Sequence, residues 1–262
     1  MARRRKNNRR RRGRSGFLYK LLSVLAICAC LIAALTLFFR VDTVVVTGGV
    51  RYTEEELRAA SGVEAGANLL LLNKARIAAG MTDALPYIKE ISSISKKLPD
   101  TLVIEVEECG TPLAVVQEGI AWLISPTHSG RGKIVEQMPA ASAIAAGYGV
   151  IDGCQLLAPS VGTRPALPTE NAFQQTSLLN LMNALETAGM LERVDAVHLG
   201  DPSELTVELD GRFTVRLSYN ADYERKLKKL EWSLEEGVIQ DNMVGTFDMR
   251  GDSRDYFQQV IN

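Results

Sequence analysis

Few residues in this 262-residue chain have the type and spacing that chemistry requires. There are two histidines, His128 and His198, and four cysteines, Cys28, Cys30, Cys109 and Cys154, with no C-x-x-C pair. A protein-built zinc site needs three or four Cys, His or carboxylate ligands at workable spacings, and none is present. Neither G-x-S-x-G nor H-E-x-x-H occurs, so a serine hydrolase and a zincin have no support. Glu107 and Glu108 are neighbours in a strand-like stretch, which sends their carboxylates to opposite faces and keeps them from working as an acid/base pair. Arg131-Gly132-Lys133 lacks the earlier glycine and the following hydroxyl residue of a phosphate loop and reads as a turn. Cys109 and Cys154 could pair, and their spacing leaves that open. The expectation is a protein with no catalytic residue, no metal, no cofactor and no small-molecule substrate.

The charge distribution says more. The formal net charge of -1 is an average over unlike segments. Residues 1–20 carry ten of the 30 Lys and Arg and no acid, which leaves 20 bases against 31 acids in the rest. Residues 21–39 then run without a charge, and such a 19-residue helix is roughly 28 Å long, about one hydrocarbon core. The run reads as a transmembrane helix. With the basic block before it and only Arg40, then Asp42, after it, the positive-inside rule leaves the N-terminus in the cytoplasm and the bulk outside, a single-pass type II topology. A cleaved signal peptide has a shorter core and small residues at its end, whereas this one ends in Phe38-Phe39-Arg40. Lipidation at Cys30 is disfavoured by the nine uncharged, mostly apolar residues that follow it. The arginine block could serve as a nucleic-acid arm. Set against a membrane span, it is expected to hold the topology and touch anionic lipid, with no nucleic-acid partner.

A hydrophobic content of 46% with only nine prolines argues for packed domains after the anchor. In the first module, residues 41–110, Val44-Val45-Val46-Thr47 before Gly48-Gly49 reads as a strand and turn. Thr53 with Glu56 forms a capping box for a helix over 54–61, closed by Gly62. Asn73 starts a second helix bearing Ile77, Met81 and Leu85, which Pro86 stops. Ile88, Ile91 and Ile94 in a strand over 88–96 are spaced by three, which predicts a bulge. Leu102, Ile104 and Val106 alternate as in a half-buried strand. The order is β-α-α-β-β.

These strings, Val44-Val45-Val46-Thr47-Gly48, Gly62-Val63, Gly66-x-Asn68-Leu69, Leu85-Pro86-Tyr87-Ile88-Lys89 and Leu98-Pro99-Asp100-Thr101-Leu102, resemble the POTRA domain of the FtsQ/DivIB family of bacterial cell-division proteins. Order, spacing and turn residues agree together. The family's usual Glu-Arg before the proline is Glu108-Cys109 here, so no contact of that arginine carries over.

The second module, residues 111–262, opens with strands expected over 114–117, 120–125 and 133–136. A linker-like stretch covers 159–168. Leu178, Leu181, Met182 and Leu185 then mark a core-facing helix stripe, ended by Gly189. Leu205, Val207 and Leu209, then Asp210-Gly211, then Phe213, Val215 and Leu217 make a β-hairpin. Tyr223, Leu227, Leu230 and Leu234 define an amphipathic helix closed by Gly237, with the bases of 225–229 expected on its solvated face. A last strand spans 245–250. This half resembles the FtsQ/DivIB β domain, in which a Lys-bearing helix precedes an apolar-Asp-apolar-Arg strand, here Lys226 and then Phe247-Asp248-Met249-Arg250. Gly251 stands where the family often has tyrosine.

The fold class expected is α+β: a basic tail over 1–20, a transmembrane helix over 21–39, a POTRA domain over 41–110 and a mixed or antiparallel β domain with flanking helices over 111–262. The resemblance implies a non-catalytic, membrane-anchored scaffold of the division septum that binds the small bitopic proteins FtsL and FtsB/DivIC. Two other readings are a POTRA-type chaperone handing extended polypeptides to a barrel, and a membrane-tethered envelope hydrolase. No series of ten-residue alternating strands supports the first, and no catalytic motif supports the second. A strand added late to a sheet is expected at its edge, where it can pair with a partner strand. The partner site is therefore expected at Phe247, Asp248, Met249, Arg250, Gly251, Asp252 and Ser253, continued by Tyr256 and Phe257, with cationic contacts from Lys226.

Overall fold

The computed structural model describes residues 14–127, 130–235, 239–240, 242–251 and 256–259. Helix α1 (Arg14–Phe38) begins before residue 21 and stops at Phe38, because Phe39 and Arg40 are drawn into backbone pairing with the next module. Its apolar part, Phe17–Phe38, has 22 residues, roughly 33 Å of helix, and none of its residues is buried in the protein. Among the described residues it is the one helix long and apolar enough to cross a membrane.

A three-stranded sheet follows in the order β1-β3-β2. Strand β1 (Thr43–Thr47) leads to α2 (Glu54–Ala60). Both halves of the capping box form: the Glu56 N–H donates to Thr53 Oγ1, and the Thr53 N–H donates to the Glu56 carboxylate. A short 3-10 turn at Leu69–Leu71 precedes α3 (Lys74–Ala84), capped by Asn73. Strand β2 (Ile88–Lys97) runs antiparallel to β3 (Thr101–Glu108), with register shifts between Ile88 and Glu90 and between Ile91 and Ser93 that account for the threefold apolar spacing. Leu102, Ile104 and Val106 are buried against Leu57, Ile77 and Met81, so the two helices cover one face.

The remaining strands form one nine-stranded sheet in the order β12-β11-β10-β9-β8-β7-β4-β5-β6. Strands β4 (Leu113–Gln117), β5 (Ile120–Ser125) and β6 (Lys133–Pro139) form an antiparallel meander. Helix α4 (Ala140–Ala145) and β7 (Val150–Asp152) have no counterpart in the sequence reading: six and three residues are too few to display a period. Helix α5 (Ala172–Thr187) leads to β8 (Val194–His198) and to the hairpin of β9 (Leu205–Leu209) and β10 (Phe213–Leu217). Asp210 and Gly211 both take positive φ, 55° and 62°, as a type I′ turn requires. Helix α6 (Tyr223–Glu235), β11 (Gly245–Asp248) and β12 (Tyr256–Gln259) complete the chain. The expected cap Gly237 lies outside the described residues, as does His128.

Helices α5 and α6 cover one face of the long sheet, where Leu181, Met182, Leu185, Leu227 and Leu230 meet Val197, Val207 and Val215. The opposite face divides in two. Toward β4–β6 it is apolar and packs Ala114, Ala121, Leu123 and Val135 against Tyr87, Tyr52 and α4. Toward β8–β12 it is open and polar. The Gly110-Thr111-Pro112 junction is held on both sides: Lys89 meets Glu186 at 2.8 Å, Tyr87 donates to Glu136 at 2.6 Å, Thr111 donates to Glu192 at 3.1 Å, and Lys133 reaches the Thr82 carbonyl at 2.8 Å. Cys109 and Cys154 are free thiols.

Candidate functional site: the C-terminal sheet edge

The sheet's last three strands are placed by aromatic packing. Phe247 of β11 sits beside Phe213 of β10, ring centroids 5.5 Å apart, and Phe257 of β12 lies 4.7 Å from Phe247. Because β11 is parallel to β10 and antiparallel to β12, Phe247 is opposite both Val215 and Phe257, and alternation turns these side chains to the α5/α6 core. The neighbouring positions face the open side. Asp152, His198, Thr206, Arg216, Asp248 and Tyr256 fall in one cross-strand row from β7 to β12.

That row is wired by charge. Glu204 takes a paired contact from the Arg216 guanidinium, 2.7 Å at the shorter bond, and a second from Arg250 at 3.0 Å. Arg250 grips Asp248, and the Tyr256 hydroxyl donates to Asp248 at 3.1 Å. The Arg250 guanidinium holds the Asp248 carboxyl well below the usual carboxylate range. Farther along, His198 Nδ1 lies 2.8 Å from Asp152 and Nε2 lies 3.2 Å from Glu208. Partial burial works against its imidazolium, but these two carboxylates outweigh it and raise its pKa.

The structure redraws the expected partner site. Phe247 and Met249 are buried core residues, and β11 is an inner strand between β10 and β12. Among the described residues, the free edge at this end of the sheet belongs to β12, a separate strand. Of the expected residues, Tyr256 and Phe257 lie on it, with Phe257 turned to the core. Asp248 and Arg250 sit on the polar face beside the edge, Gly251 is exposed in the connection, and Asp252 and Ser253 lie outside the described residues. Lys226 is not on a solvated face. It is fully buried, and its ammonium donates to the Gly251 carbonyl at 2.7 Å, tying α6 to the residue that follows Arg250. A charge surrounded by apolar ridge positions reads as solvated in a sequence, since no period reveals that a distant carbonyl reaches it. Glu204 and Arg216, which join the network, carry no local signal beyond alternation.

An edge strand has backbone N–H and C=O groups on its outer side with no neighbour in the sheet, so this arrangement can accept a further strand. Among the described residues no group of three or more His, Cys, Asp or Glu could hold a metal ion.

Residues 39–108 match the family model described as POTRA domain, FtsQ-type. Those residues are an FtsQ-type POTRA domain. The match begins at the residue after α1 and spans the whole three-stranded module, and it supports the assignment of the chain to the FtsQ/DivIB family that its motif strings resemble. No curated protein matches the chain. The chain is an α+β protein with an apolar N-terminal helix and a large mixed sheet, and its FtsQ-type POTRA match supports a role related to cell division.

Proposed function

We propose that this protein is a non-catalytic, membrane-anchored scaffold of the bacterial division septum, with its bulk outside the cytoplasm, and that the β12 edge receives the small bitopic partners of the FtsL and FtsB/DivIC kind. The FtsQ-type POTRA domain carries the reading. The open edge of the nine-stranded sheet supports its second part, since main-chain pairing gives affinity without a preformed pocket. The basic block of residues 1–20 against the apolar helix supports the orientation. In such a scaffold, binding would coordinate septal wall synthesis carried out by other proteins. Depletion in cells tests this: filaments without septa are expected, and cells that keep dividing normally would sink the proposal.

A further inference from the structure

The end of α1 is joined to the POTRA domain with no linker. The Leu69 N–H donates to the Phe39 carbonyl at 2.8 Å, Val41 donates to Ala67 at 2.8 Å, and Arg40 bridges Asn68. On the other side, the Asp42 N–H donates to the Asp100 carbonyl at 3.0 Å. The segment around Leu69 therefore stands beside the first three residues that follow the apolar helix, and the β2–β3 turn beside the fourth.

Both are apolar where exposure would favour polar residues. Leu70 is 44% exposed, Leu71 80% and Leu98 60%, although the domain core lies within reach of the same segment and buries Leu69 completely. The Lys96 ammonium ties the two loops together by donating to the carbonyls of Leu70 and Leu72, at 2.9 and 2.8 Å. Arg40, Lys74, Arg76 and Lys97 are exposed around them. Leucines flanked by bases form the pattern of a surface that enters the headgroup layer while its cations stay at the phosphates.

We propose that Leu70, Leu71 and Leu98 form a foot that inserts into the interface of the same bilayer that holds α1, with the surrounding bases on its anionic headgroups. This rests on α1 being a membrane anchor. The occupant follows from continuity: a helix that ends at Phe38 near the hydrocarbon boundary leaves its hydrogen-bonded neighbours within the headgroup layer, which is about 5–7 Å thick. The foot would fix the tilt of the POTRA domain, and through the braced junction it would fix the direction in which the β12 edge is presented.

The test uses the full chain with Trp122→Phe and Trp232→Phe, reconstituted in phosphatidylethanolamine–phosphatidylglycerol vesicles containing lipids brominated in their acyl chains. One reporter is Leu71→Trp. The other is Val50→Trp, 94% exposed and beyond the far end of β1. Both positions are exposed enough to accept the ring, and circular dichroism checks the fold. The expected result is several-fold stronger quenching and a blue-shifted emission at position 71, with little quenching at 50. Equal quenching at the two positions, in protein that alkaline carbonate fails to extract, overturns the foot and leaves the anchor standing. Protein released by carbonate overturns both.

Discussion

At the scale of single residues, the open face of the sheet is a set of charges that work through their neighbours. Away from that face, Lys226 of α6 works in the same way, a buried cation whose ammonium donates to the Gly251 carbonyl. His198 gives a measurable consequence. Its folded pKa lies above the ordinary value of about 6.5 because Asp152 and Glu208 outweigh its partial burial. A group whose pKa rises on folding contributes stability that is fully present below the unfolded value and is lost as pH rises through the folded one. Thermal stability of the nine-stranded sheet should therefore contain a component that declines from about pH 6.5 upward. The variant His198→Gln should remove that slope. Melting curves across this range check it, and an unchanged slope in the variant would show that His198 is not the source.

At the scale of elements, β12 decides what the sheet can receive. Consecutive residues of a strand point their N–H groups to opposite sides, and because Gly245 and Met249 donate toward β10, Thr246 faces β12 across Gln258, so Gln258→Pro and Gln259→Pro are controls for each other. One removes an N–H that pairs with β11, and the other removes one that faces outward. The first should destabilise the β11–β12 pair. The second should leave unfolding close to the parent and weaken capture of a partner's extracytoplasmic segment at least tenfold, about 1.4 kcal/mol. Capture by both variants at parental affinity would count against strand pairing at this edge.

At the scale of the whole molecule, the junction joins the two sheets into one unit. Tyr87, Glu136, Lys89 and Glu186 bracket an apolar cluster that includes Cys109 and Val135. Burial and the Glu136 hydrogen bond both push the Tyr87 hydroxyl up, so it stays a donor throughout the physiological range. A hydrogen bond to a charged group contributes about 1.5–3 kcal/mol. In the double variant Tyr87→Phe/Glu186→Ala, hydrogen exchange in β1–β3 should uncouple from that of the long sheet, giving separate unfolding transitions where the parent gives one. Transitions that still coincide would mean that the apolar cluster alone binds the sheets.

The sequence by itself determined the features that depend on local pattern: the apolar run over 21–39, the Thr53 and Glu56 capping box, the Asp210-Gly211 turn and the alternation of Leu102, Ile104 and Val106. Each is settled by residues a few positions apart, so backbone geometry and burial can be read along the chain. Elements of three to six residues, α4, β7 and β12, were not legible because they are too short for a period. Only the tertiary structure decided which strand is the edge. Sequence order put 247–253 there, yet β11 enters the sheet parallel to β10 and leaves its other side to β12. The buried place of Lys226, the charge row from Asp152 to Tyr256 and the closure of the junction likewise bring together groups far apart in the chain. Such contacts are set by packing and register, which the pattern of a single segment does not encode.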